Sequence, residues 1–377
     1  MSDGKMKFPK DAVLRNLEAL RRTNGTFIAA PTEDYEAVWL RDTLYAAYTF
    51  WYIGDHKKLL EGVWAVFDLL QHPRRRQRIA HRIASPPVAT TAGVLHAKYH
   101  PDTLEEITAD DQWGHHQLDA IGLFLYIVAD LHFKNLDAIR SESDLELLQL
   151  LVYYLRSMEY WDQPDFGMWE ECLIRHSSSI GAIVGALSYL KRQQLAVVPD
   201  RLIEFGNEAL WRILPYESRD RCWRPHHHHD CDAAQLALIW PYHTITRRED
   251  AEALVARIID GHAAENGAFH RLYQSHGCNR YWEDDYYRST EGTYRGISAE
   301  WPMFKFWISI VYSQWHEYPT ALHWFCEGLQ DITDGKIPEA YQNGKPNPHT
   351  PLAWAHAIAL IAFAKLPPEM QTEMEAR

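Results

Sequence analysis

Residues 42–71 read Asp42-Thr43-Leu44-Tyr45-Ala46-Ala47-Tyr48-Thr49-Phe50-Trp51-Tyr52-Ile53-Gly54-Asp55-His56-Lys57-Lys58-Leu59-Leu60-Glu61-Gly62-Val63-Trp64-Ala65-Val66-Phe67-Asp68-Leu69-Leu70-Gln71. Apolar residues recur at helical spacing over 42–53 and again over 56–71, and Ile53-Gly54-Asp55 ends one helix and starts the next. Working outward, the same periodicity gives helical spans at 10–22, 113–132, 143–159, 177–191, 199–213, 232–240, 248–260, 301–313, 316–331 and 352–366. No run alternates as a half-buried strand would, so the chain reads as all-α.

The connections differ in length in an ordered way. Brief polar links follow residues 53, 191, 240 and 313, whereas 72–112, 160–176, 214–231, 261–300 and 332–351 are long. Long connections in a compact domain are usually functional, and these hold nearly all the Trp, His and acidic clusters. A toroid of six helical hairpins accounts for the asymmetry. Its inner helices run parallel, their N-termini open at one rim, and the long connections feed that rim. The loops before residues 42, 113, 177, 232, 301 and 352 then converge. Free N–H groups and partial positive charge at helix N-termini suit carboxylates and hydroxyl-bearing ligands. A repetitive barrel of this kind can run to 377 residues as one domain, here spanning 1–377.

Two converging loops share a layout. Asp165-Phe166-Gly167-Met168-Trp169-Glu170-Glu171 and Asp334-Gly335-Lys336-Ile337-Pro338-Glu339-Ala340-Tyr341 each set a carboxylate beside aromatic residues, just before an apolar helix. Cleavage of a glycosidic bond needs one carboxyl to protonate the leaving oxygen and another to activate water or attack the sugar carbon.

The other loops supply contacts. Arg41 offers a bidentate fork and Asp42 a helix cap, so the pair reads either as a capped, salt-bridged helix start or as a ligand for sugar hydroxyls. In Asp110-Asp111-Gln112-Trp113, Trp113 can wall a pocket and Asp110 or Asp111 can bind hydroxyls, while Asp119 reads as a buried structural acceptor. Adjacent His115 and His116 point about 100° apart on a helix and make a poor metal pair. His226 to His229 invite a zinc reading but lack ordered ligand spacing, and Asp232 as a helix cap is the competing account. The segment Asn279-Arg280-Tyr281-Trp282-Glu283-Asp284-Asp285-Tyr286-Tyr287, with Ala299-Glu300-Trp301, adds Trp282 and Trp301 as substrate walls.

Composition excludes some partners. A net charge of −13 argues against nucleic acid, which requires a basic footprint. Arg74, Arg75, Arg76, Arg78 and Arg82 form the one basic cluster and read as a solvated surface turn. The 13 % aromatic share, with 15 Trp and 20 Tyr, leaves rings to spare for sugar stacking. Cys172, Cys222, Cys231, Cys278 and Cys326 are odd in number and irregular in spacing, and are expected to be reduced thiols. No apolar signal core and no membrane-length apolar run is read, which makes the cytoplasm the expected location.

Taken in order, Trp39-Leu40-Arg41-Asp42, Gly167-Met168-Trp169-Glu170-Glu171, Tyr281 to Tyr287, and Ile337-Pro338-Glu339 with Pro351-Leu352-Ala353-Trp354-Ala355-His356 resemble the glucoamylase-type glycosidases of glycoside hydrolase family 15. The resemblance implies an (α/α)6 barrel and exo-acting, inverting hydrolysis of terminal α-glucosides. It implies Glu170 as general acid and Glu339 as general base. Arg41 and Asp42 become ligands of the terminal sugar, with Trp39, Trp169 and Glu171 lining the same pocket, and no cofactor or metal is called for. The accessory modules of familiar members are not read here, which favours a disaccharide or short α-linked gluco-oligosaccharide as substrate. Asp111 to Ala120 and Asn347-Pro348-His349-Thr350 look more like the regulatory α and β subunits of phosphorylase kinase. That likeness implies a second expectation, a carbohydrate-sensing or protein-binding homologue. A phosphorolytic enzyme would need a basic cluster around the bond, and the pocket loops offer only Arg175 and the His run.

Overall fold

The structure, a computed structural model, describes residues 7–85, 93–107, 114–222, 228–264, 267–282, 284 and 299–375. Its helices are α1 (Lys10–Ala19), α2 (Leu40–Tyr52), α3 (His56–Gln71), α4 (Pro73–Ala84), α5 (Leu118–Phe133), α6 (Glu142–Ser157), α7 (Ser177–Arg192), α8 (Asp200–Ile213), α9 (Arg248–Ile259), α10 (Met303–Gln314), α11 (Tyr318–Leu329), α12 (Ala353–Lys365) and α13 (Pro368–Glu375). A 3-10 segment, Ala233–Leu238, stands where the periodicity expects a helix over 232–240.

The six-hairpin toroid is what forms. Helix α2 packs on α5, α5 on α7, α7 on the 3-10 segment, that segment on α10, α10 on α12, and α12 back on α2, closing the ring. The inner helices are apolar on every side, as a position with neighbours all round demands. In α12 every residue from Ala353 to Phe363 is buried, including Trp354 and His356. Outer helices are one-sided: α3 buries Leu59, Val63, Val66, Phe67 and Leu70 while exposing Lys57 and His56. Gly54, at φ +83°, lets the chain leave α2, and Asp55 then caps α3 by accepting from Lys58 N at 3.2 Å. Close inner-ring packing shows at Gly122, where a Cβ would fall 2.9 Å from Ala182 of α7.

The long connections carry short two-strand ladders. These use β1 (Val38–Trp39), β2 (Lys98–Tyr99), β3 (His228–Asp232), β4 (His262–Ala263), β5 (Phe269–His270), β6 (Tyr273–Gln274), β7 (Gly277–Cys278), β8 (Tyr281–Trp282), β9 (Tyr341–Gln342) and β10 (Lys345–Pro346). The pairs are β1 with β2, β3 with β8, β4 with β5, β6 with β7, and β9 with β10.

Two expectations are corrected. The arginine cluster is no surface turn: it lies largely on α4, and Arg75 and Arg82 are buried at 5 % and 2 % exposure. Arg75 donates to the carbonyls of Leu69 and Leu104, and Arg78 pairs with Glu106 at 2.7 Å, so these two cations satisfy protein acceptors, while Arg74 stays exposed to water. The cysteines are not all thiols either. Cys172 and Cys222 are disulfide-bonded with Cα atoms 5.8 Å apart, across a sequence separation of 50 that no local spacing signals. Cys231, Cys278 and Cys326 remain free thiols. Among the described residues no helix is long and apolar enough to cross a membrane.

Candidate active site

Arg41 and Asp42 lie in the first turn of α2, both buried. Arg41 donates Nε to Asp119 Oδ2 and Nη2 to Gln117 Oε1, each at 2.8 Å. Its Nη1 faces Glu170 Oε1 at 3.6 Å, and its guanidinium sits 5.4 Å from the Trp354 ring centroid. Asp119 is thus the buried structural acceptor the sequence suggests.

Glu170 closes a turn in which its N–H donates to Phe166 O at 3.1 Å, and Phe166 N in turn donates to His116 O at 2.8 Å. Its φ of +65° is left-handed, a conformation that costs a residue with a Cβ about 1–3 kcal/mol and that concentrates at functional sites. The side chain keeps 20 % of its exposure, so solvent reaches it. Burial pushes the carboxyl up to about 7; Arg41 opposes that rise, and the charge of Asp42 adds to it. Asp42 is likewise pushed up to about 7, mainly by burial, with Arg41 opposing and Glu339 adding. Asp42 therefore feels both acidic loops, which puts Glu170 and Glu339 in one electrostatic neighbourhood.

Glu339 is held differently. Its Oε1 accepts from the Tyr35 hydroxyl at 2.6 Å and its Oε2 from the Asn347 amide at 2.8 Å, while its N–H donates to His349 O at 3.0 Å. The Tyr35 ring is stacked on His349, 3.8 Å between centroids at 16°. Asn347 and His349 belong to a run the sequence singles out. Tyr35, in a 3-10 turn of Glu33–Tyr35, carries no local signal of its role.

The aromatic residues distribute unevenly. Trp169 donates Nε1 to Asp232 Oδ1 at 2.8 Å and lies 5.8 Å from Trp301 and 6.2 Å from Trp354 between ring centroids. Asp232 also accepts from Ala234 N at 2.7 Å in a capping box with Gln235, so the cap reading holds. Trp301 is buried and donates to Asp284 Oδ2 at 3.2 Å. Trp39 is buried beneath Tyr35, with Lys98 Nζ 4.3 Å from its ring. Glu171 accepts from Arg280 Nη2 at 2.9 Å and from the Tyr281 hydroxyl at 2.7 Å, a tie between two converging loops. Trp282 stands apart, paired with His228 across β3 and β8 and lying flat on His270 at 4.7 Å and 9°. Asp111 and Trp113 lie outside the described residues, as do Asp110, His226, His227, Glu283 and Asp285 to Tyr287.

His115 stacks on His96 at 4.0 Å, while buried His116 is pushed down to about 4 by its desolvation, so the two do not act as a pair. Arg175 is committed to Asp220 at 2.9 Å and Asp162 at 2.7 Å.

The family model for glycosyl hydrolases family 15 matches residues 7–362. The chain belongs to that family. It is 25 % identical over 401 residues to the phosphorylase b kinase regulatory subunit alpha, liver isoform, of Mus musculus, covering 91 % of this chain and 30 % of that protein. The chain thus spans about 30 % of the length of such relatives. Among solved structures, a glycosidase variant in complex with glucose matches with a TM-score of 0.73 at 20 % identity, covering 95 % of this chain and 97 % of that one. The family 15 glucoamylase from Hypocrea jecorina matches with a TM-score of 0.63 at 15 % identity, covering 96 % and 72 % respectively. These likenesses bear out the six-hairpin glycosidase fold.

Proposed function

We propose that the protein is an inverting, exo-acting α-glucosidase that releases β-glucose from the non-reducing end of short α-glucosides. The carrying observation is the inequality of two carboxyl groups on one rim. Glu170 is pushed up to about 7 beside Arg41, and Glu339 accepts two hydrogen bonds from Tyr35 and Asn347, groups that serve it only as donors.

On this reading Glu170 gives its proton to the glycosidic oxygen as the bond to the anomeric carbon breaks. Glu339 takes a proton from the water that attacks the opposite face, which requires carboxyl groups ~6.5–9.5 Å apart. Arg41 Nη1 and Asp42 bind hydroxyls of the terminal sugar, with Trp39, Trp169 and Trp301 behind them. Glu171 works through Arg280 and Tyr281 to hold the acid loop. Asp111, Trp113 and Trp282 stand as further substrate-binding residues. The glucose complex of a structural neighbour agrees with a glucosyl pocket.

The test is a screen of maltose, isomaltose, kojibiose, nigerose, trehalose and short dextrins for glucose release, with the anomer of fresh product read by NMR. β-Glucose appearing first supports the reading, and α-glucose appearing first removes inversion. A second reading, a carbohydrate-sensing or protein-binding homologue, is favoured by the similarity to phosphorylase kinase α subunits. Saturable sugar binding with no turnover of any of these substrates would select it.

A further inference from the structure

Strand β3 carries ligand-type side chains away from the carboxylate rim. Asp230, near its middle, receives two imidazoles: His262 Nε2 and His270 Nδ1 each lie 2.9 Å from Asp230 Oδ2. The two histidines face each other directly across β4 and β5, so one hairpin delivers both. Their rings stand 5.7 Å apart at 83°, splayed so that a nitrogen from each converges on the carboxylate instead of stacking. All three side chains are largely buried, at 14 %, 7 % and 2 % exposure for Asp230, His262 and His270. One ligand atom from each lies within 4.8 Å of the others.

Hydrogen bonding alone leaves this cluster incomplete. Among the described residues Asp230 Oδ1 and His262 Nδ1 are buried with no hydrogen-bond partner. A cation held between the two imidazole nitrogens and the carboxylate would take up Asp230 Oδ1 as a second oxygen donor. Two imidazoles and a carboxylate suit a borderline transition ion such as Zn²⁺, with ligands ~2.0–2.2 Å from the metal and a fourth position for water. Calcium and magnesium favour all-oxygen sites and fit poorly.

We propose that Asp230, His262 and His270 form a zinc-class site that fastens the β4–β5 hairpin to β3. His270 also stacks flat on Trp282, so the site would steady that ring as well. The site is independent of whether the chain hydrolyses glycosides, since none of its ligands belongs to the acid–base pair.

The test loads the full chain with zinc, dialyses it and measures bound metal by mass spectrometry, alongside His262→Ala and Asp230→Asn. About one zinc per chain is expected in the wild type, with at least a tenfold loss in each variant. Equal zinc in all three, or none in the wild type, overturns the proposal. Should a variant fail to fold, cobalt absorption of the wild type decides. Visible d–d bands without a thiolate charge-transfer band support nitrogen and oxygen ligation. A charge-transfer band would instead place the ion on a thiolate, and so overturn it.

Discussion

The Glu170 and Glu339 loops arrive at the same rim by equivalent routes and meet opposite surroundings. Glu170 sits in a left-handed turn with a guanidinium 3.6 Å away, partly open to solvent and protonated near neutrality. Glu339 is almost wholly enclosed, at 3 % exposure, and its oxygens are occupied by a phenol and an amide. Fold symmetry brings two like groups to one place, and the neighbours make them unlike. Arg41 faces the first loop, Tyr35 bonds the second, and Asp42 links them. The division of labour therefore resides in partner residues more than in the two glutamates.

The harshest way to break the comparison is to remove each carboxyl. Glu170→Gln and Glu339→Gln should each lower kcat on the best substrate about 10²–10⁴-fold with the circular dichroism spectrum unchanged. Full activity in either variant would reassign that role. Arg41→Ala comes next. It leaves Asp119 buried without its partner, and should cost about 3–5 kcal/mol in urea unfolding. Because Arg41 holds the Glu170 proton less tightly than burial alone would, its loss should also move the alkaline limb of kcat upward in pH. An unmoved limb would mean that Glu170 is not the group titrating there.

How far the sequence foretold this depends on the range of each signal. The ring was legible because helical periodicity and loop length are local, and 42–53 with 56–71 already shows one hairpin. The 3-10 geometry at Ala233–Leu238 was not, since its six residues are too few for periodicity to separate helix types. Glu170 and Glu339 were marked by their own loops. Tyr35 was not, because its partner is 304 positions away and a lone Tyr in a polar turn looks like many others. The Cys172–Cys222 bond and burial of Arg75 and Arg82 failed for the same reason: each depends on a contact between segments whose order along the chain says nothing of their meeting.

Milder changes sharpen the contrast. Tyr35→Phe deletes one of the two hydrogen bonds that orient Glu339, and loss of that positioning should lower kcat about tenfold. The alkaline limb should move far less than in Arg41→Ala, since the charges that act most on Glu170 are those of Arg41 and Asp42. A limb that moved as far with Tyr35 would erase the separation between the two loops.

The finest probe is Lys98→Met. Lys98 lies over Trp39 on β2, outside the proposed catalytic pair, and its charge lowers the proton affinity of Glu170 less than Arg41 does. Glu170, raised to about 7, is protonated below that pH and loses its proton as pH rises through it, so activity that needs its proton declines on the alkaline side. Without the Lys98 cation the proton is held more tightly, and the decline should shift upward by about 0.3 pH units at low salt and less at high salt. A limb that stayed in place at low salt would mean that the titrating group does not sense the Lys98 charge, and the acid assignment would pass from Glu170 to another residue on the rim.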